Sequence, residues 1–212
     1  MRRVVLVHAD ALLDRAALRA ALPAAWGGAL AAGPGGSPDE WASVYRQIQD
    51  DWDSYWADLD LSGDDSLAQW REGRWRVVCG LFRLAGRAAP PVEQIPRYLD
   101  VFPREVGRSC PAWGAGALEA LGQLAGQGFA VALLAPYTAS ALLWGMLDAE
   151  DRQGGVRRVL GPDELGQVGL EGIAPAHLAR LAGADPAETV HITRPDDLFT
   201  QAKPHHHQLE EP

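Results

Sequence analysis

The sequence predicts an α/β fold in which a doubly wound parallel sheet carries an inserted α-helical segment. The first observation is a short apolar run, Val4 to Val7, that ends in a polar turn at His8 and Asp10. The second is that apolar runs of strand length alternate with helical stretches after residue 110. Continuous apolar runs are typical of buried parallel strands, and their alternation with helices is typical of a doubly wound sheet.

The sheet domain is expected to comprise residues 1–13 and 110–203, followed by a polar tail over 204–212. Its predicted strands lie at residues 4–7, 129–134, 156–160 and 189–193, and its predicted helices at 114–126, 138–147 and 174–182. The tail includes three consecutive histidines, at 205–207, which we interpret as part of a flexible segment because zinc sites usually draw spaced ligands from an ordered frame.

Residues 14–109 are predicted to form an all-helical insert. A helix at 12–22 is expected to end at Pro23, and the Gly-, Ala- and Pro-rich residues 27–38 are expected to be a loop. Ser37, Pro38 and Glu40 then have the spacing of a capping box with proline at the first helical position. The helices predicted after that start lie at 41–59, 66–84 and 91–106.

The composition excludes several classes of function. The chain has 212 residues and a net charge of −9, which argues against nucleic acid or an anionic membrane as a partner because both require a basic surface. No secretory leader and no apolar stretch of membrane-spanning length is expected. Cys79 and Cys110 are interpreted as two reduced thiols, which favours a cytoplasmic location.

The opening of the chain resembles the haloacid dehalogenase (HAD) superfamily, in which an apolar strand runs into Asp-x-Asp-Gly-Thr-Leu. His8 stands where the family has its nucleophile, Asp10 stands at its general acid, and Ala11 and Leu12 replace Gly-Thr. The helical insert after the first strand resembles the cap of the phosphatase-type subfamily. The resemblance implies a Rossmann-like HAD core with a helical cap, and Mg²⁺-dependent phosphoryl transfer to a carboxylate.

The other motifs that the resemblance requires depart from the family pattern. After the second strand, where the family has Ser or Thr, the chain has Ala135 and Pro136, with Thr138 as a candidate substitute. The family's lysine is missing from residues 169–175, and the only lysine of the chain, Lys203, follows the fourth strand. Arg157 or Arg158 could take its place, although a solvated arginine is the simpler interpretation.

The metal-binding position after the fourth strand is also altered. Arg194 stands where the first acid belongs, and its guanidinium would repel Mg²⁺, while Asp196 and Asp197 follow close behind. An ion pair between Arg194 and Asp10 is expected to replace the metal. Since the tail stands in place of a fifth strand, the fourth strand is expected at the edge of the sheet.

These departures predict a HAD-like protein that has lost metal-dependent phosphatase activity and acts by binding a partner or a small ligand. The alternative is a hydrolase that acts on a small phosphorylated metabolite with Asp10 and His8 as catalytic groups. No cofactor and no metal site are expected, with Mg²⁺ required only under the alternative. In either case the predicted ligand-binding cleft consists of His8, Asp10, Ala135, Thr138, Arg194 and Asp197.

A stripe of aromatic residues in the helical insert has two interpretations. Trp41, Trp52 and Trp56 belong to a series that recurs mostly at alternating intervals of three and four residues. Core packing between the helices is the simpler explanation. Since aromatic residues are also enriched at interfaces, the three tryptophans are candidates for contact with a protein partner or a second copy of the chain.

Overall fold

A computed structural model describes residues 3–150 and 155–202 of the chain. The described residues form one parallel sheet of four strands in the order β3-β2-β1-β4. The strands are β1 (Val4–His8), β2 (Ala130–Leu134), β3 (Val156–Leu160) and β4 (Thr189–Ile192). The predicted fold class is therefore confirmed, and β4 lies at an edge of this sheet as expected.

Helices connect and cover the strands. They are α1 (Arg15–Ala31), α2 (Pro38–Asp50), α3 (Ser66–Leu84), α4 (Phe102–Gly107), α5 (Ala117–Gly126), α6 (Ser140–Ala149), α7 (Pro162–Leu165), α8 (Pro175–Leu181) and α9 (Pro195–Ala202). In the part of the chain that the structure describes, no helix combines the length and apolar character needed to cross a membrane.

Both faces of the central strands β1 and β2 are buried, which explains why β2 and the first four residues of β1 are continuously apolar. Val5 and Val7 of β1 belong to a large core with α5, α6, α9 and the helical insert. Val4 and Leu6, which alternate with them, belong to a smaller core with α7 and α8. Successive residues of a strand point to opposite faces, so Val4 to Val7 of this central strand are all apolar, and only His8 at its end is polar.

The helical insert leaves and rejoins the sheet domain at neighbouring points. Leu13 and Trp113 form an isolated antiparallel bridge, and the Asp14 N–H donates to the Ala112 carbonyl at 3.0 Å. The insert nevertheless shares one continuous hydrophobic core with the sheet. The domain limits at 14–109 and 110–203 therefore stay a prediction. The tail at 204–212 and Lys203 lie outside the described residues.

The prediction that the first helix ends at Pro23 is wrong, because α1 continues through the proline to Ala31. Pro23 has no N–H to donate to the carbonyl of Arg19, so one hydrogen bond of the helix is lost. The side chain of Gln49, from α2, donates its Nε2 to that carbonyl at 3.0 Å instead. The predicted loop at 27–38 accordingly begins only after Ala31.

The insert differs from the prediction at two further places. The predicted helix at 41–59 stops at Asp50, and a 3₁₀ turn at Trp52–Tyr55 follows it. The predicted helix at 91–106 is a 3₁₀ turn, a π-helical turn at Arg97–Val101 and then α4. The predicted helix at 66–84 is confirmed as α3, with the same limits.

Two glycines bring α4 of the insert against α6 of the sheet domain. A Cβ atom on Gly107 would lie 2.1 Å from the carbonyl oxygen of Leu142, and one on Gly145 would lie 2.1 Å from the carbonyl oxygen of Arg104. The two backbones thus touch directly, which only residues without a side chain permit. This crossing holds the insert against the sheet domain.

Candidate functional site

His8 ends β1 at the carboxyl edge of the sheet, in register with Leu134 of β2. Its imidazole is half-buried and makes no hydrogen bond to another residue of the described chain. Burial lowers the pKa of His8 below its ordinary value of 6.5, the Asp10 carboxylate partly opposes this, and His191 lowers it further. His8 is therefore a neutral imidazole at pH 7.

Asp10 does not pair with Arg194, so that prediction is wrong. The Asp10 carboxylate accepts a hydrogen bond from Arg15, the first residue of α1, and the two form an ion pair. Both side chains are exposed, and ion pairs of this kind contribute little to stability. The nearest arginine along the chain has taken the place that Arg194 was expected to occupy.

The other predicted cleft residues are only partly brought together. Ala135 is buried and its N–H donates to the Leu160 carbonyl at 2.9 Å, so it presents no surface to a ligand. Thr138 is half-buried and lines the cavity described below. Arg194 and Asp197 are exposed at the start of α9, and neither lines that cavity.

The residues at the strand ends do not fit Mg²⁺. Across residues 3–150 and 155–202, no three His, Cys, Asp or Glu side chains lie close enough together to hold a metal ion. Mg²⁺ prefers carboxylate oxygens, whereas an imidazole stands at position 8 and the Asp10 carboxylate is paired with a guanidinium. The magnesium chemistry that the family resemblance implies has no ligand set in this part of the chain.

A cavity of about 550 Å³ lies between the helical insert and the sheet domain. The sheet domain contributes Tyr137, Thr138 and Ala139, which follow β2, and Val168, which follows β3. The carboxyl ends of parallel strands are where open α/β sheets bind ligands. The insert closes the cavity with aromatic and aliphatic side chains: Leu18, Leu22, Trp26, Tyr45, Trp52, Trp56, Leu61, Trp70, Val77, Val78, Tyr98, Leu99, Pro103 and Val106.

Arg74 of α3 is a charged group in this apolar wall. Its guanidinium lies 4.3 Å from the centre of the Trp70 ring, and its Nη2 donates to the Leu99 carbonyl. Its Nη1 is buried and has no hydrogen-bond partner. Burial lowers the pKa of Arg74 to about 10, with Asp163 and Asp100 opposing the shift, so the side chain carries its charge at pH 7.

Two glycines of α3 shape the same wall. A Cβ atom on Gly73 would lie 2.3 Å from the Trp56 ring, and one on Gly80 would lie 2.6 Å from the Tyr55 ring. The rings therefore lie directly against the helix backbone. Sequence reasoning missed Arg74 and these glycines. The available signal was the spacing of Gly73 and Gly80, seven residues apart on one helix face, next to an arginine between tryptophans.

The three tryptophans predicted to bind a partner have different positions. Trp41 is fully buried, packs against Phe82 at 5.3 Å between ring centres, and donates its Nε1 to the Gly35 carbonyl at 2.7 Å. Its assignment to a partner surface is therefore wrong. Trp52 is 40% exposed, Trp56 is half-buried, and both line the cavity. A partner or a second copy at Trp52 and Trp56 stays a prediction.

Comparisons with known proteins find solved structures that are similar to this chain, but no matching sequence. No protein-family model matches the sequence, and no curated protein matches it significantly. Among solved structures, the chain is similar to YfnB from Bacillus subtilis, described as a HAD-hydrolase in a crystal structure bound to magnesium. The identity is 14%, the TM-score is 0.46, and the match covers 91% of this chain and 80% of the other. A likeness at this level does not assign an activity to the chain.

Proposed function

We propose that this protein binds a small organic molecule in the cavity between the helical insert and the sheet, and that it is a HAD-like protein without metal-dependent phosphatase activity. The observation that carries the proposal is the cavity itself, with its volume of about 550 Å³ and its aromatic lining. Pockets of this size with a few polar groups in an apolar wall are typical of small-molecule sites.

The groups at the strand ends support the second half of the proposal. A metal-dependent phosphatase of the HAD type needs a carboxylate nucleophile on the first strand and further carboxylates for the ion. His8 occupies the first position, and the Arg194 guanidinium follows β4 where it would repel a cation. Each of these changes removes a group on which the reaction depends.

Ligand binding is tested with N-phenyl-1-naphthylamine, a neutral aromatic probe whose fluorescence rises in apolar surroundings. We expect saturable, one-to-one binding to the purified chain. Thr138→Trp fills the cavity from the sheet side and should abolish the signal, whereas Thr200→Trp, an exposed position on α9 outside the cavity wall, should not. Absence of saturable binding, or equal binding by both variants, would refute the site.

The loss of phosphatase activity is tested separately. Hydrolysis of a panel of phosphate monoesters is measured with Mg²⁺ and with a chelator, for the natural chain and for Asp10→Asn. We expect no Mg²⁺-dependent turnover above the level of the variant. Turnover that requires Mg²⁺ and disappears in Asp10→Asn would establish the alternative, a hydrolase acting on a small phosphorylated metabolite.

We also propose a cytoplasmic location, which rests on the two cysteines. Both are free thiols, with Cys79 half-buried on α3 and Cys110 buried. Burial raises the pKa of Cys110 to about 11, so this thiol stays protonated at neutral pH. Protonated, buried thiols react slowly, which supports a structural role for Cys110 in a reducing compartment.

A further inference from the structure

We propose that the ligand of the cavity is a flat, largely apolar carboxylic acid whose carboxylate is bound by Arg74. This inference rests on the proposed function and specifies the chemistry of the molecule that the site accepts. It depends on three features of the cavity wall, namely an unsatisfied guanidinium, the absence of a carboxylate committed to it, and a lining of aromatic rings.

The first feature is the unused donor on Arg74. The fork of its guanidinium is only partly occupied, because Nη2 donates to the Leu99 carbonyl while the buried Nη1 has no partner. A buried polar group without a hydrogen bond is unfavourable, and natural proteins retain few of them. A carboxylate in the cavity would satisfy Nη1 with a charge-assisted hydrogen bond, the geometry for which guanidinium is best suited.

The second feature is that the neighbouring carboxylates are committed elsewhere. Asp163 and Asp100 both pair with Arg71, one turn before Arg74 on α3, at 2.5 Å and 3.1 Å. Within the described ranges no carboxylate forms an ion pair with Arg74 itself. Asp53 also lines the cavity, but it is exposed, so water screens its charge. Of the residues that the structure describes, two arginines line the cavity. Arg15 is exposed and pairs with Asp10, which leaves the half-buried Arg74 as the cation without an ion-pair partner among the described residues of the cavity wall.

The third feature is the shape and chemistry of the remaining wall. Trp52 and Trp56 pack against each other with their ring centres 5.7 Å apart, and Tyr45 stacks on Trp26 at 5.2 Å. Rings of this kind favour a flat apolar body. The Trp56 Nε1 is also buried without a hydrogen-bond partner.

The experiment measures displacement of N-phenyl-1-naphthylamine by two competitors of equal shape, 2-naphthoate and its neutral amide, 2-naphthamide. At pH 7 the natural chain should bind 2-naphthoate about 10- to 100-fold more tightly than the amide, the range for one charge-assisted hydrogen bond in a buried site. This comparison requires no variant and is independent of any effect on folding.

Variants then assign the preference to Arg74. Arg74→Met should remove the preference for the acid. Because Arg74 lines the cavity, the affinity for N-phenyl-1-naphthylamine is measured again for this variant, and both competitors are compared on that basis. Arg76→Met removes the same charge from an arginine of α3 that pairs with Asp58 and Glu72 and does not line the cavity, and should keep the preference. Arg74→Lys should retain part of it, because the charge remains and the fork is lost.

The outcomes separate this inference from the proposed function. If N-phenyl-1-naphthylamine does not bind, the proposed function fails. If it binds and the acid has no advantage over the amide, the cavity is a site for neutral ligands and the role of Arg74 is refuted. An advantage for the acid that survives Arg74→Met would likewise refute it, since another cation would then bind the carboxylate.

Discussion

Replacement of glycine by alanine should lower the stability of the chain at Gly145, where α4 and α6 touch, and raise it at Gly122, where there is open space. At Gly145 a new Cβ atom would lie 2.1 Å from the Arg104 carbonyl oxygen and 3.0 Å from the Arg108 backbone nitrogen. Backbone atoms cannot rotate away, so Gly145→Ala must push the two helices apart by about 0.9 Å to bring the shorter distance to 3.0 Å. At Gly122, in α5, no atom lies within 4 Å of the corresponding position.

The magnitude follows from two opposing effects. Overpacking a tight contact destabilises a protein by about 1–3 kcal/mol, and we take the upper end because the obstacle is backbone. Replacing glycine by alanine inside a helix stabilises it by about 1 kcal/mol. Gly145→Ala should therefore lower the free energy of unfolding by about 2 kcal/mol, and Gly122→Ala should raise it by about 1 kcal/mol.

Thermal and urea unfolding of the two variants measure the difference. For a chain of this length, Gly145→Ala should lower the Tm by about 4–8 °C, and Gly122→Ala should raise it by about 2–4 °C. Since Pro103 and Val106 of α4 and Leu142 of α6 line the cavity, Gly145→Ala should also weaken binding of N-phenyl-1-naphthylamine. Equal stability of the two variants would show that the insert does not contact α6 as described.

Two further predictions concern hydrogen bonding and pH. Gln49→Ala should lower the free energy of unfolding of the natural chain by about 1 kcal/mol, because it leaves the Arg19 carbonyl without a hydrogen bond. In the Pro23→Ala background the same substitution should cost less, because residue 23 then has an N–H that can donate to that carbonyl. A double-mutant cycle that shows no coupling between the two positions would contradict this prediction. The pKa values of His8 and His191 lie below 6.5 in the folded chain, so the unfolded chain binds more protons as the pH falls. The free energy of unfolding should therefore decline below about pH 6.5, and it should decline less steeply in the double variant His8→Gln/His191→Gln. The same pH dependence in the natural chain and the variant would contradict the lowered pKa values of the two histidines.

The sheet could be predicted from the sequence because its signal is local. The central strands β1, as far as Val7, and β2 are continuous apolar runs, and burial of both of their faces requires that pattern. The outer strands β3 and β4 have shorter apolar runs and include exposed polar residues. α1 could not be predicted in the same way. A proline inside a helix normally ends it, and the compensating group is Gln49, which lies 30 residues after the carbonyl it satisfies. No local pattern records a contact at that separation.

Some residues of the candidate site could likewise be predicted from the sequence, and others could not. The strand-end residues His8 and Asp10 could be found because their position in the chain fixes their position at the sheet edge. Arg74 could not, since its significance depends on a donor that has no partner, which only the folded chain reveals. The spacing of Trp41 in the aromatic stripe indicates a helix face but not that Phe82 and Arg87 cover its ring.

The arrangement of charge links the two halves of the proposal. In an α/β sheet that transfers phosphate, the polar groups that hold the reacting atoms gather at the strand ends. Here those ends present a neutral imidazole at His8, the buried Ala135 and a carboxylate that Arg15 neutralises. The half-buried Arg74, whose Nη1 has no hydrogen-bond partner, lies on the opposite wall, in the insert. Under the proposed function, the helical insert would recognise the ligand and the sheet would form the floor of the site.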